Sequence, residues 1–211
     1  MASLLGHRAV PKPIALLSIT GIPTFQHRFF KSSTLLTPKP LTDKDMEPYL
    51  TGPTVIGTPE PDTNMVFVLD KLTSEARKNP SFEPPKPAPF DPEKNGWPRG
   101  CLYDYYLYWN KYADMVQEVD PGFGTPDDPP PEEFRKGWPT TVIIQGDDDY
   151  DVSMDVSSHM ADSMGEDRVS LFLAGGQGHL FESTNFIEDE GHQMDTVREA
   201  IKCLDSVVQG K

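Results

Sequence analysis

"TVIIQGDDDYDV", residues 141–152, is the stretch whose reading decides the fold. Thr141, Val142, Ile143 and Ile144 are β-branched, and such side chains suit a pleated strand. The run is continuous rather than alternating, which predicts a strand covered on both faces in a parallel sheet. Gly146 closes it, and then Asp147, Asp148, Asp149 and Asp151 arrive in quick succession. Carboxylates so close together repel one another, so a cluster at the mouth of a core strand asks for a purpose. In an open parallel sheet that mouth is the rim beyond the carboxyl ends of the strands, where ligands bind.

Downstream the pattern is regular. Residues 153–164 suit a helix with Ser153 as N-cap. "RVSLFLAG", 168–175, reads as a second strand. "DTVREAIKCLDSVVQG", 195–210, reads as an amphipathic helix with Val197, Ile201, Leu204 and Val208 on one side and Gly210 at its end. Strand, helix, strand and helix joined by short links predict right-handed βαβ units and a parallel sheet. The segment Gly175-Gly176-Gln177-Gly178-His179 follows the second strand. On adjacent parallel strands it shares a rim with the aspartates. A carboxylate there would orient the imidazole, set its tautomer and leave the other ring nitrogen as a general base.

Upstream, "PIALLSITG", 13–21, is a short apolar run between Pro and Gly, and it predicts another strand buried on both faces. "ASLLG" before it reads as the last turn of a helix that stops at Gly6. Residues 22–62 read as loop with one short helix near 43–49, and 64–79 as a helix. Residues 80–100 hold seven prolines, which argues against regular structure. Residues 101–119 place Leu102, Tyr105, Tyr106, Trp109, Tyr112, Ala113 and Val116 at helical spacing, predicting one helix with an aromatic face. Residues 120–139 read as loop.

Composition narrows the function classes. Residues 1–119 are balanced at 13 acids and 13 bases, whereas 120–211 hold 20 acids and 6 bases and so carry the whole net charge of −14. Such a surface repels phosphates, which argues against nucleic acid and anionic membranes as partners. Cys101 and Cys203 match no ligand spacing, and a reducing compartment is expected. No apolar run approaches the roughly 20 residues of a membrane span, and the start lacks the charged region of a secretory signal. A soluble, cytoplasmic protein is the expectation. Asp147, Asp149 and Asp151 alternate as in a calcium loop, but Val152 and Ser158 stand at its sixth and twelfth positions, where Gly and Glu are needed. No metal or cofactor is expected.

"PTTVIIQGDDDYDV" resembles the acid segment of α/β-hydrolases, in which the catalytic aspartate stands three positions after the glycine that ends a strand; here that is Asp149 after Gly146. "LAGGQGHLF" resembles their histidine segment, with His179 in the catalytic place. "MASLLGHRAVPKPIALLSITGIPTF" resembles the stretch just after the nucleophile in esterase- and lipase-like members with an α/β-hydrolase-3 type core. The order of acid before histidine agrees with the family. The family's G-x-S-x-G and its oxyanion loop do not occur in the 211 residues.

The resemblance implies a partial α/β-hydrolase fold of about three parallel strands with flanking helices. Residues 1–21 and 139–211 would form the core, and 22–138 a helical, proline-rich cap. It implies hydrolysis of a small apolar ester through Asp149, His179 and a serine from outside this chain, which is then a truncated form. The alternative is a catalytically inactive relative that serves as a binding module. The first strand, short of a neighbour, predicts self-association through its exposed edge.

Overall fold

The computed structural model describes residues 6–31, 41–51, 96–97, 99–149, 151–183, 185–188 and 191–210. The chain divides into two compact units, one of Met1–Ser32 with Tyr112–Lys211 and one of Ser33–Lys111. The predicted helix over 64–79 lies outside the described residues, as does most of the "ASLLG" turn.

The first unit is built on three parallel strands, β1 (Ala15–Ile19), β2 (Thr140–Gly146) and β3 (Val169–Ala174), in the order β1-β2-β3. Ile143 stands opposite Ser18 on one side and Leu171 on the other. Helix α5 (Met154–Met164) joins β2 to β3, and α6 (Asp195–Val208) follows β3. Ser153 caps α5, its hydroxyl accepting from Asp155 N–H. Alternate residues of β2 serve the two faces. Ile143 packs with Met160 and Met164 of α5 and with Phe123, Trp138 and Val169. Val142 and Ile144 pack with Ala174, Phe181, Met194, and Val197 and Ala200 of α6. Both faces are therefore covered, which is why Val142, Ile143 and Ile144 are apolar without alternation. Burying each Val or Ile side chain contributes about 1.5–3 kcal/mol.

β1 departs from expectation. It pairs with β2 alone among the described residues, and it is half-buried rather than covered on both faces. Leu17 on the strand and Ile14 just before it are exposed. Continuous apolar composition reports what a strand is made for, not how many neighbours it has.

Two further readings need correction. The single helix expected over 101–119 is two, α2 (Leu102–Tyr108) and α3 (Lys111–Val116), because Asn110 between them takes a left-handed φ of 50°. Asn tolerates that backbone better than most residues, so it breaks the periodicity without a Gly or Pro to mark the place. The loop expected over 120–139 contains a short helix, α4 (Glu132–Gly137). Its start is hidden by three prolines, yet Glu132 and Glu133 in the first turn and Arg135 and Lys136 in the last complement the helix dipole.

The second unit has its own small core. Helix α1 (Asp43–Leu50) begins with a capping box in which Thr42 and Asp45 bond each other's backbone N–H. Met46 of α1 packs with Leu41 and with Tyr105 of α2. The Tyr105 hydroxyl donates to Asp43 Oδ1 at 2.6 Å, and Trp109 Nε1 donates to the Leu41 carbonyl at 2.7 Å.

Candidate functional site

β2 and β3 run parallel and side by side, so the loops that leave their carboxyl ends meet. Gly146 makes the meeting close. A Cβ at that position would lie 2.2 Å from the Gln177 carbonyl oxygen and 2.9 Å from that of Gly178. Glycine is needed at 146 for this approach of backbone to backbone. The two loops are laced together: Asp148 N–H donates to the Gln177 carbonyl at 3.0 Å, and Gly176 N–H donates to Asp147 Oδ1 at 2.6 Å. One carboxylate of the cluster thus holds the histidine loop in place.

Asp149 and His179 meet on this rim. Asp149 Oδ2 lies 2.9 Å from His179 Nδ1. The carboxylate is fully enclosed, whereas the His179 side chain keeps a quarter of its surface open. Asp149 Oδ1 accepts from the backbone N–H groups of Asp151 and Val152, both at 2.9 Å. Both oxygens of the carboxylate thus act as acceptors. The carboxylate therefore selects the His179 tautomer with hydrogen on Nδ1. Nε2 then carries the lone pair, and it has no hydrogen-bond partner among the described residues. An imidazole oriented by a buried carboxylate and open at Nε2 can take a proton from a hydroxyl and return it to a leaving group.

Three residues that the sequence did not single out complete the rim. Gln145 is buried, and its Nε2 donates to Asp149 Oδ2 at 2.6 Å and to the Val152 carbonyl at 2.9 Å. A signal for it existed: it is the one amide in an otherwise apolar or β-branched run, and a buried amide must be bonded. Thr20, at the end of β1, is buried at a left-handed φ of 46°, an outlier for a β-branched residue. Its N–H donates to the Ile144 carbonyl at 2.8 Å, and its hydroxyl lies 3.3 Å from Glu182 Oε1. Neither Thr20 nor Glu182 has a sequence signature.

A second cluster also lay beyond the sequence. His27 and His159 have ring centroids 5.2 Å apart. With Arg28, Gly122, Asp155 and Asp162 they line a cleft of about 680 Å³, whose lining includes neither Asp149 nor His179. Burial, then the neighbouring His159, hold His27 below the usual histidine range. Among the described residues no group of three or more His, Cys, Asp or Glu side chains is placed to hold a metal ion.

Comparison with models of known protein families, with curated proteins and with solved structures found no match to this chain.

Proposed function

We propose that the rim of β2 and β3 carries the acid–base half of a Ser-His-Asp hydrolase acting on acyl esters. The observation that supports this reading is the 2.9 Å approach of a fully enclosed Asp149 to a partly open His179. In the proposed reaction His179 Nε2 removes the proton from an attacking hydroxyl as it adds to the ester carbonyl. Asp149 holds Nδ1–H and stabilises the imidazolium that forms. His179 then returns the proton to the departing alkoxide, and water repeats the sequence on the acyl intermediate. No serine of this chain stands in G-x-S-x-G, so in this reading the hydroxyl comes from residues outside the 211. The cap in this reading is the second compact unit, Ser33–Lys111, which lies within the expected 22–138.

The sequence favours a second reading to the extent that it lacks this motif: a hydrolase-like chain that binds an apolar ligand without turning it over.

The test is chemical. Alkylation of His179 Nε2 by a small electrophile, followed at that residue by mass spectrometry, should slow about tenfold or more in Asp149→Asn. Equal rates in the two proteins would overturn the acid–base reading. The chain alone should not turn over an unactivated ester such as ethyl butyrate above a His179→Ala control. A His179-dependent turnover would place the nucleophile within the chain.

A further inference from the structure

The mechanism just described leaves the most buried polar contact on the rim without a role. Gln145 faces α5 because it follows Ile143 by two positions on β2, and alternate residues share a face. Ser157 of α5 lies on that side, and it is fully buried, as Gln145 is. Ser157 Oγ donates to Gln145 Oε1 at 3.0 Å. That bond fixes the amide's orientation: the oxygen faces α5, and the nitrogen faces Asp149. Both hydrogens of Nε2 are then used, one on the Val152 carbonyl and one on Asp149 Oδ2.

Asp149 Oδ2 is also the atom that meets His179 Nδ1. The amide and the imidazole therefore share one oxygen, and Oδ1 is occupied by two backbone N–H groups. We infer that Gln145, aligned by Ser157, acts through Asp149: it draws charge from Asp149 Oδ2 and so limits how tightly the carboxylate holds a proton on His179. The inference rests on the acid–base reading of the pair and assigns it a control. A carboxylate stripped of other donors would favour the imidazolium, and an imidazolium has no lone pair with which to accept a proton. A general base works best when it is neutral at the working pH. Gln145 spends a buried donor to keep His179 in that form. Position does not depend on it, since the Asp151 and Val152 N–H groups still anchor the carboxylate when the amide is removed.

The other charged groups on the two loops are Asp147, whose carboxylate accepts from Gly176 N–H, Asp148, Asp151, and Glu182, which faces Thr20. None of them changes in the variants that test the inference, so their fields cancel in the comparison.

The experiment is an NMR titration of the His179 ring protons in the full chain. Gln145→Met keeps length and removes both donors; the titration midpoint of His179 should rise by about one pH unit, a tenfold gain in proton affinity. Ser157→Ala leaves the amide in place but frees it to turn, and should move the midpoint the same way by less. It also guards against failure of Gln145→Met to fold, since it disturbs the core least. Asp149→Asn should move the midpoint down. Midpoints unchanged in both the Gln145 and Ser157 variants, with only the melting temperature lowered, would show a purely structural amide and overturn the inference while leaving the pair intact. An Asp149→Asn midpoint equal to wild type would instead overturn the pairing on which the proposed function stands.

Discussion

Gly146 shows how much a single residue decides on this rim. Its backbone is not the reason for glycine; the reason is the 2.2 Å that would separate any Cβ at this position from the Gln177 carbonyl oxygen. Gly146→Ala should therefore push the histidine loop away and lengthen the contact between Asp149 and His179. We expect a stability loss of about 1–3 kcal/mol from the overpacked site, read from urea unfolding. The His179 titration midpoint should also shift toward that of Asp149→Asn. A variant with wild-type stability and midpoint would mean that the loops do not touch as described. Leu180, beside the histidine, sits at a φ of 54°, which a branched apolar side chain seldom adopts. Together with Thr20 it puts backbone strain at two places on one rim, where functional sites concentrate it.

At the scale of elements, the loop after β1 meets α5 through two imidazoles. His27 Nδ1 accepts from Phe29 N–H at 3.2 Å, so the neutral ring carries its hydrogen on Nε2. His159 Nε2 lies 3.1 Å from the Gly122 carbonyl and carries its hydrogen there. Protonating His27 is opposed first by its burial and then by the fields of His159 and Arg28, with Asp155 acting the other way. Its affinity for a proton is lower folded than unfolded, so the unfolded chain binds more protons once the pH falls below the ordinary histidine value of 6.5. The contribution to stability is complete above that pH and is lost as the pH falls through it toward the folded value. Urea midpoints measured at pH 7.5 and 5.5 should differ more in wild type than in His27→Gln. Identical pH dependence in the two proteins would show that His27 contributes nothing to it. Asp120 ties the same loop to the segment before α4: buried, it accepts from Phe25 N–H at 2.7 Å and from Gly122 N–H at 3.0 Å.

At the scale of the whole molecule, the net charge of −14 and the apolar edge of β1 pull in opposite directions. Charge opposes association of copies, and a strand edge without a neighbour, as β1 has among the described residues, favours it. Leu17 of β1 is exposed, as are Val10 and Ile14 before it, and residues 6–31 contain Arg8, Lys12, Arg28 and Lys31 but no acid. We expect the chain to self-associate at tens of micromolar in sedimentation velocity, more strongly at high salt, and Leu17→Lys to shift it toward the monomer. A monomer at every concentration and salt would show the edge to be satisfied within one chain. Among the described residues no helix is long and apolar enough to cross a membrane.

The sequence by itself determined the local elements of the sheet. β2, α5, β3 and α6 lie within a residue or two of their expected bounds, because the strands are short apolar runs, the helices repeat every 3.6 residues, and each is closed by its own cap or glycine. It also determined that an aspartate loop and a histidine loop would leave neighbouring strands on one side. Asn110 and the proline-led α4 escaped, since a break without Gly or Pro and a helix of six residues leave too little pattern to read. Only the tertiary structure decided the chemistry around the pair. Gln145 and Ser157, Thr20 and Glu182, and His27 and His159 meet across 12, 162 and 132 residues. The distances that matter to a proton are set by how strands and helices pack, and periodicity along a chain carries no record of them.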